Sequence, residues 1–225
     1  MSKLFEDIKD SSNLITGHIN PDGDALGSAL AFKLILDSKG IDSDISFDMK
    51  GNVPSNLNHL PIELILENPK ENYENVYVFD CGNSERLGSL EEIALKSDQV
   101  IVIDHHMAEA DLPVAKSIIN PNRLDDDSEL GELAAVGVCF LFLVALNRRL
   151  REIGWYNKGL MEPNLLKLLD LVALGTVCDV VPLRGLNRAF VSQGLKVIGN
   201  RSNLGLRILS DIAKIEKKSD AFLFP

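Results

Sequence analysis

Short β-branched runs alternating with longer helical stretches constrain this chain more than any other feature. Leu14-Ile15-Thr16-Gly17-His18-Ile19, Ser43 to Phe47, Val76 to Phe79 and Val100 to Ile103 read as strands. That alternation predicts an α/β fold built on a mostly parallel sheet flanked by helices. A turn carrying Pro21 and Gly23 leads from the first strand into a helix over about Ala25 to Ser38, with Gly40 as its stop signal. Leu26, Leu30 and Leu34 recur every four residues and define its buried face, and Phe32, Ile35 and Leu36 spread apolar surface round most of the circumference. Residues 49–75, rich in Asn, Pro and Glu, predict a loop-like connection with one short helix. From Leu133 the period changes, and Ala134 to Arg151, Asn164 to Leu174 and Asn187 to Ile198 read as helices, so the second half is helical. Residues 211–225 read as a tail.

Composition narrows the function classes. No apolar run, Val136 to Leu146 included, approaches the ~18 residues of a membrane helix. The opening Met-Ser-Lys-Leu-Phe-Glu-Asp lacks the basic-then-apolar order of a secretion signal. Cys81, Cys139 and Cys178 share no metal-type spacing, and their odd number argues against a disulfide framework. A reducing, cytoplasmic protein with no membrane partner is the expectation. The net charge of −10 is uneven: residues 1–112 carry 8 basic and 21 acidic side chains, residues 113–225 carry 15 and 12. Long-range repulsion makes such a chain a poor generic polyanion binder, unless bound cations neutralise part of the acidic half.

Four segments carry the chemistry. Gly17-His18-Ile19-Asn20-Pro21-Asp22-Gly23-Asp24 follows the first strand. Val78-Phe79-Asp80-Cys81-Gly82 and Val102-Ile103-Asp104-His105-His106 end two others, and Gly175-Thr176-Val177-Cys178-Asp179 follows a helix. A lone Asp after a strand is most often a helix cap or turn former. Three such segments at strand ends, holding three of the four histidines, are different. In a parallel sheet those ends converge on one crevice, crowding Asp22, Asp24, Asp80 and Asp104 with His18, His105 and His106. So many carboxylates cannot all ionise without compensation. Divalent cations supply it, and mixed carboxylate and imidazole donors suit Mn²⁺, with Mg²⁺, Co²⁺ or Zn²⁺ as alternatives.

In this order the four segments resemble the motifs of the DHH phosphoesterase superfamily, whose triplet stands here as Asp104-His105-His106. The resemblance covers roughly residues 12–210 and implies a Rossmann-like DHH domain with a two-metal phosphoesterase centre. By that resemblance His18, Asp22 and Asp80 match the ligands of one metal. Asp24, Asp80, His105 and Asp179 match those of the other, with Asp80 bridging. His106 matches a histidine that contacts the scissile phosphate, and Asp104 a residue that orients the histidine ligands.

Two branches of the superfamily are represented. His18-x-Asn20-Pro21-Asp22-x-Asp24-Ala25-x-Gly27-Ser28 and the stretch from Asp80 to Leu87 look like the nanoRNase and bisphosphate-nucleotide phosphatase branch. Ile119-Asn120-Pro121-Asn122, Leu133 to Val138, Asp170 to Leu183 and Asn187-Arg188 look like RecJ-type single-strand exonucleases. The expectation is either a mosaic with a seam just after His106, near residue 107, or a divergent RecJ relative that kept the older first motif. Both branches carry a further substrate-gripping domain with a glycine-rich segment, which nothing here matches, so weak or unselective activity is expected of this chain alone.

The resemblance implies a Mn²⁺-dependent exonuclease acting on single-stranded DNA, with Arg184 and Arg188 near the fourth motif as candidate phosphate contacts. Hydrolysis of very short oligonucleotides or of a bisphosphate nucleotide is the nearest alternative. An inactive scaffold, or an engineered chain in which folding alone matters, is the alternative of another class. Arg148, Arg149 and Arg151 suit the negative end of a helix, Trp155 and Tyr156 a satellite hydrophobic contact, and Cys81 and Cys178 read as packing residues.

Overall fold

In the computed structural model, residues 10–38, 40–49, 57, 60–107, 115–159 and 161–215 are described. The chain divides into two compact units, Met1–Asp127 and Ser128–Pro225. The seam expected near residue 107 therefore falls inside the first unit.

The first unit is built on five strands: β1 (Asn13–Gly17), β2 (Asp44–Ile45), β3 (Asn75–Phe79), β4 (Gln99–Ile103) and β5 (Ser117–Ile119). They form one sheet in the order β2-β1-β3-β4-β5, with every pairing parallel. The period of two decides what each face buries. Leu14, Val76, Val78, Val100 and Val102 share one core cluster with Leu87 and Ala94. Ile15 and Tyr77 belong to the other, with Ala25, Leu26, Ala29, Leu30 and Leu36 of α1 (Gly23–Ser38). The β-branched runs are thus covered on both faces, as a parallel sheet requires. A buried amide pair pins the register where β1 and β3 begin: Asn75 Nδ2 donates to Asn13 Oδ1 at 3.0 Å, and Asn13 Nδ2 donates to the Ser11 and Asp42 carbonyls.

From β1 the chain passes to β2 on one side, while β3 lies on the other. Connections that diverge in this way leave a crevice at the carboxyl ends of the strands. Gly17 is needed at its floor, because a Cβ there would lie 2.6 Å from the Phe79 carbonyl oxygen. The next residues along the two strands are His18 and Asp80.

Several local expectations are corrected. β1 stops at Gly17, because the Ile19 N–H leaves the ladder and donates to the Arg86 carbonyl at 2.7 Å. Leu34 is 57% exposed, since each four-residue step advances about 40° round a helix and the third member has left the buried face. The strand β5 and the short helix α2 (Glu91–Lys96) are additions to the expected elements. Within 49–75 the described residues contain a 3₁₀ turn at Ile62–Leu64.

The second unit is helical: α3 (Ala135–Glu152), α4 (Leu169–Cys178), α5 (Gly185–Gly199) and α6 (Leu204–Ile212). The helix expected over Asn164 to Leu174 is split. A 3₁₀ turn at Leu165–Leu168, capped by the Asn164 side chain, precedes α4, which runs on to Cys178. α4 and α5 touch closely at Gly194, where a Cβ would lie 2.1 Å from the Leu169 carbonyl oxygen. Phe140 of α3 meets Phe190 of α5 edge-on at 5.4 Å. α6 runs into the segment expected as a tail, whose residues 216–225 lie outside the described residues.

Candidate metal centre

Two of the acidic residues sit one position past a strand and are still held by its ladder. The Asp80 N–H donates to the Ile103 carbonyl and the Asp104 N–H to the Ile119 carbonyl, each at 3.1 Å. Asp80 has φ of 55°, a left-handed conformation that Asp tolerates better than most side chains but at a cost. Asp22 stands just before α1, its Oδ1 accepting the Asp24 and Ala25 N–H groups at 2.9 and 3.1 Å.

These anchors gather donor atoms on either side of one carboxylate. His18 Nδ1–H donates to the Ile19 carbonyl at 2.9 Å, a bond that leaves the Nε2 lone pair outward. Nε2 lies 3.6 Å from Asp80 Oδ2 and 3.8 Å from Asp22 Oδ1. On the other side, Asp80 Oδ1 lies 3.9 Å from His105 Nε2 and 3.4 Å from His106 Nδ1. Two groups result, His18–Asp22–Asp80 and Asp80–His105–His106, each with its ligand atoms within 4.8 Å of one another. Spacing and chemistry fit divalent cations of the Mn²⁺ class, and Asp80 belongs to both groups.

The electrostatics point the same way. Burial pushes the Asp80 carboxyl above its ordinary range, reinforced by the negative charges of Asp24 and Asp22 and opposed by His106 and His18. Positive charge brought beside this carboxylate would favour its ionised form. His106 is raised, first by its hydrogen bond to Asp104, although its burial works against that.

Asp104 stands behind the cluster. Its Oδ1 accepts from His106 Nδ1 at 2.8 Å and its Oδ2 from Asn120 Nδ2 at 3.0 Å. Asn120 also donates to the His106 carbonyl at 2.9 Å, and Asn122 Nδ2 donates to the His105 carbonyl at 2.6 Å. From sequence the Asn-Pro-Asn turn carries a family resemblance but no role at the site. Its signal is a turn former directly after a β-branched run.

Of the residues expected at the site, His18, Asp22, Asp80, His105 and His106 come together, and Asp104 supports His106. Asp24 stands outside both groups and accepts from Ser28 Oγ at 3.4 Å, yet its charge reaches Asp80. Asp179, at the C-terminus of α4, and Arg184 and Arg188, at the start of α5, belong to the second unit. Arg184 lies 3.9 Å from Glu132. Arg148 and Arg149 pair with Glu152, and Arg151 with Glu162. Cys81 is buried, but Cys178 is exposed rather than packed.

A parallel sheet that brings Asp and His together at the ends of β1, β3 and β4 is the arrangement of a DHH domain. The model of the DHH family, N-terminal domain, matches residues 12–176, and the chain belongs to that family. Within it the similarity is to RecJ. The single-stranded-DNA-specific exonuclease RecJ of Dickeya dadantii is 40% identical over 153 residues, covering 67% of this chain and 26% of that protein. Its counterpart in Escherichia coli K12 is 45% identical over 116 residues, covering 51% and 20%. A crystal structure of exonuclease RecJ bound to manganese has a TM-score of 0.60 and 28% identity, covering 96% of this chain and 52% of that one. The structure of RecJ from Thermus thermophilus in complex with Mn²⁺ gives 0.58 and 28%, covering 96% and 29%. The chain spans about a quarter or less of the length of these two curated relatives. An alignment over 67% of the chain is too long to lie wholly on one side of residue 107, so similarity to RecJ crosses the expected seam.

Proposed function

We propose that this chain forms the metal-binding part of a RecJ-like phosphoesterase that hydrolyses terminal phosphodiesters of single-stranded DNA with two Mn²⁺ ions. One observation carries the proposal: the two oxygens of Asp80 face different histidine-bearing donor groups. A carboxylate so placed would serve as a ligand on either side of it, to one cation with each oxygen. Bound there, such ions polarise a phosphoryl group and make a water nucleophilic at neutral pH.

The chain's own residues have separate roles. His18 and Asp22 would hold one ion with Asp80, and His105 would hold the other. Asp104 fixes the Nδ1 proton of His106 and favours its imidazolium, which leaves Nε2–H to donate to charge developing on a phosphoryl oxygen. Asp24 and Asp179 are proposed as further ligands, and Arg184 and Arg188 as phosphate contacts, on the resemblance of their motifs. The reading takes the chain as one RecJ-like lineage. Its compartment is the reducing cytoplasm, supported by the odd number of cysteines. Among the described residues no helix is long and apolar enough to cross a membrane.

Calorimetric Mn²⁺ titration of the parent and of Asp80→Ala tests the centre, with strands of graded length as substrates. Two sites in the parent, loss of at least one in the variant, and cleavage of long strands are expected. Cleavage of only the shortest oligonucleotides would turn the reading toward the nanoRNase branch. A parent that binds no Mn²⁺ would overturn it.

A further inference from the structure

The cluster is rich in negative charge, and a phosphate must still approach it. Most of the basic side chains described in the first unit are already engaged. Lys33 pairs with Asp37, Lys70 with Asp44, Lys96 with Glu92, and Arg123 with Asp125. Arg86 is different: it is half-buried, and no carboxylate among the described residues pairs with its guanidinium. The other unpaired cation described in this unit, Lys116, is exposed.

The backbone places Arg86 beside the centre. It lies on a 3₁₀ turn, Ser84–Leu90, that begins four residues after Asp80. The Asn83 side chain caps that turn by accepting the Arg86 N–H at 3.1 Å. The Arg86 carbonyl accepts the N–H of Ile19, the residue after His18, at 2.7 Å. A second tie comes from Asp48, whose carbonyl accepts the Asn20 N–H at 3.1 Å while its carboxylate accepts the Ser89 N–H at 2.7 Å. The turn is therefore stitched at two points to the loop that carries His18 and Asp22. Arg86 is thus held six residues after Asp80 and bonded through its main chain to the residue that follows His18.

We propose that Arg86 is a phosphate-binding residue of the centre, its guanidinium donating to the non-bridging oxygens of a nucleotide substrate's phosphate. A half-buried guanidinium with no carboxylate partner is an open oxyanion site, and its planar fork suits two phosphate oxygens at once. The proposal rests on the phosphoesterase reading and deepens it by adding a substrate contact from the first unit itself.

The test uses the Mn²⁺-loaded protein with Arg86→Gln and Arg86→Lys, and a nucleoside monophosphate as the calorimetric probe. Arg86→Gln is expected to keep the parent's Mn²⁺ stoichiometry while its affinity for the nucleotide falls about tenfold or more, the scale of a lost charge-assisted hydrogen bond. Arg86→Lys retains part of the affinity. With an oligonucleotide substrate, KM rises by a similar factor and kcat changes less. Equal nucleotide affinity in parent and Arg86→Gln overturns the proposal, as does a Mn²⁺-loaded parent that binds no nucleotide. If the parent binds nucleotide through Arg86 but hydrolyses no strand, the exonuclease reading fails and the phosphate site stands.

Discussion

Replacing Asn120 with Ala removes the brace behind the Asp-His-His triplet, and the structure gives the size of the effect. Asn120 is 6% exposed and Asp104 3%. The amide donates to a buried carboxylate oxygen at 3.0 Å and to the His106 carbonyl at 2.9 Å, and its Oδ1 accepts the Asn122 N–H at 2.8 Å. The bond to a charged group contributes about 1.5–3 kcal/mol and the neutral ones about 1 each, less what water entering the space restores. A loss of about 3 kcal/mol is the expectation for the metal-free protein. With a urea m-value of about 2 kcal/mol/M, that moves the unfolding midpoint of the affected unit down by about 1.5 M. Asn120→Asp should be worse at neutral pH, since it sets a second carboxylate against Asp104, and should recover as acid protonates one of the pair. The same scan with saturating Mn²⁺ should show a smaller metal-induced stabilisation in Asn120→Ala than in the parent. A loss below about 0.5 kcal/mol would mean that Asp104 is held by something other than this amide.

Other consequences are equally open to measurement. Gly194→Ala should lower the thermal midpoint of the helical unit by an amount consistent with about 3 kcal/mol, because its methyl would overlap the Leu169 carbonyl and Ala173; an unchanged midpoint would refute the close approach of α4 and α5. Thiol titration at pH 8 should modify Cys139 and Cys178, which are exposed, and spare Cys81, which burial pushes up to about 11; rapid labelling of Cys81 in the native state would contradict its placement. His106 has a raised pKa, so its contribution to stability is full below about 6.5 and is lost as pH rises through its folded value. Asp80 is also raised, and its penalty grows as pH climbs from 3.8 through its folded value. Melting in chelator should therefore show stability falling with rising pH in the parent, and falling less above about pH 6.5 in His106→Gln. Mn²⁺ should reverse the slope, because its ligands bind deprotonated.

What the sequence disclosed followed from how local each feature is. The runs around Leu14, Val76 and Val100 were readable because doubly covered parallel strands are almost uniformly apolar and β-branched. β5 was not, since Ser117–Ile119 is three residues long and periodicity needs more. Leu34 shows the opposite failure, an apolar spacing that looks regular while drifting off the face that α1 presents to the sheet. In the second unit the three longer helices were legible, but α4 was displaced. Nothing in Asn164 to Leu174 alone distinguishes a 3₁₀ turn followed by a helix from one continuous helix.

The cluster was legible for a topological reason. Once four runs are accepted as parallel strands, whatever follows each of them must meet at one edge of the sheet, and at three of them Asp and His are what follow. The sequence could not say which atoms would face which. His105 and His106 are neighbours in the chain, yet His105 turns Nε2 toward Asp80 while His106 gives Nδ1 to Asp104. The division of Asp80 into two differently directed oxygens depends on its positive φ and on a ladder bond to Ile103, both products of tertiary pairing. Asn120 and Arg86 were missed for the same cause, because their significance lies in what they are brought beside. A residue other than glycine held in a left-handed conformation at the end of a strand costs stability. Here that cost buries a carboxylate among others of like charge, an arrangement that becomes favourable when cations are bound. The charge gathered at Asp80 therefore has its remedy in bound cations, and that is the physical reason to look for metal there before looking for activity.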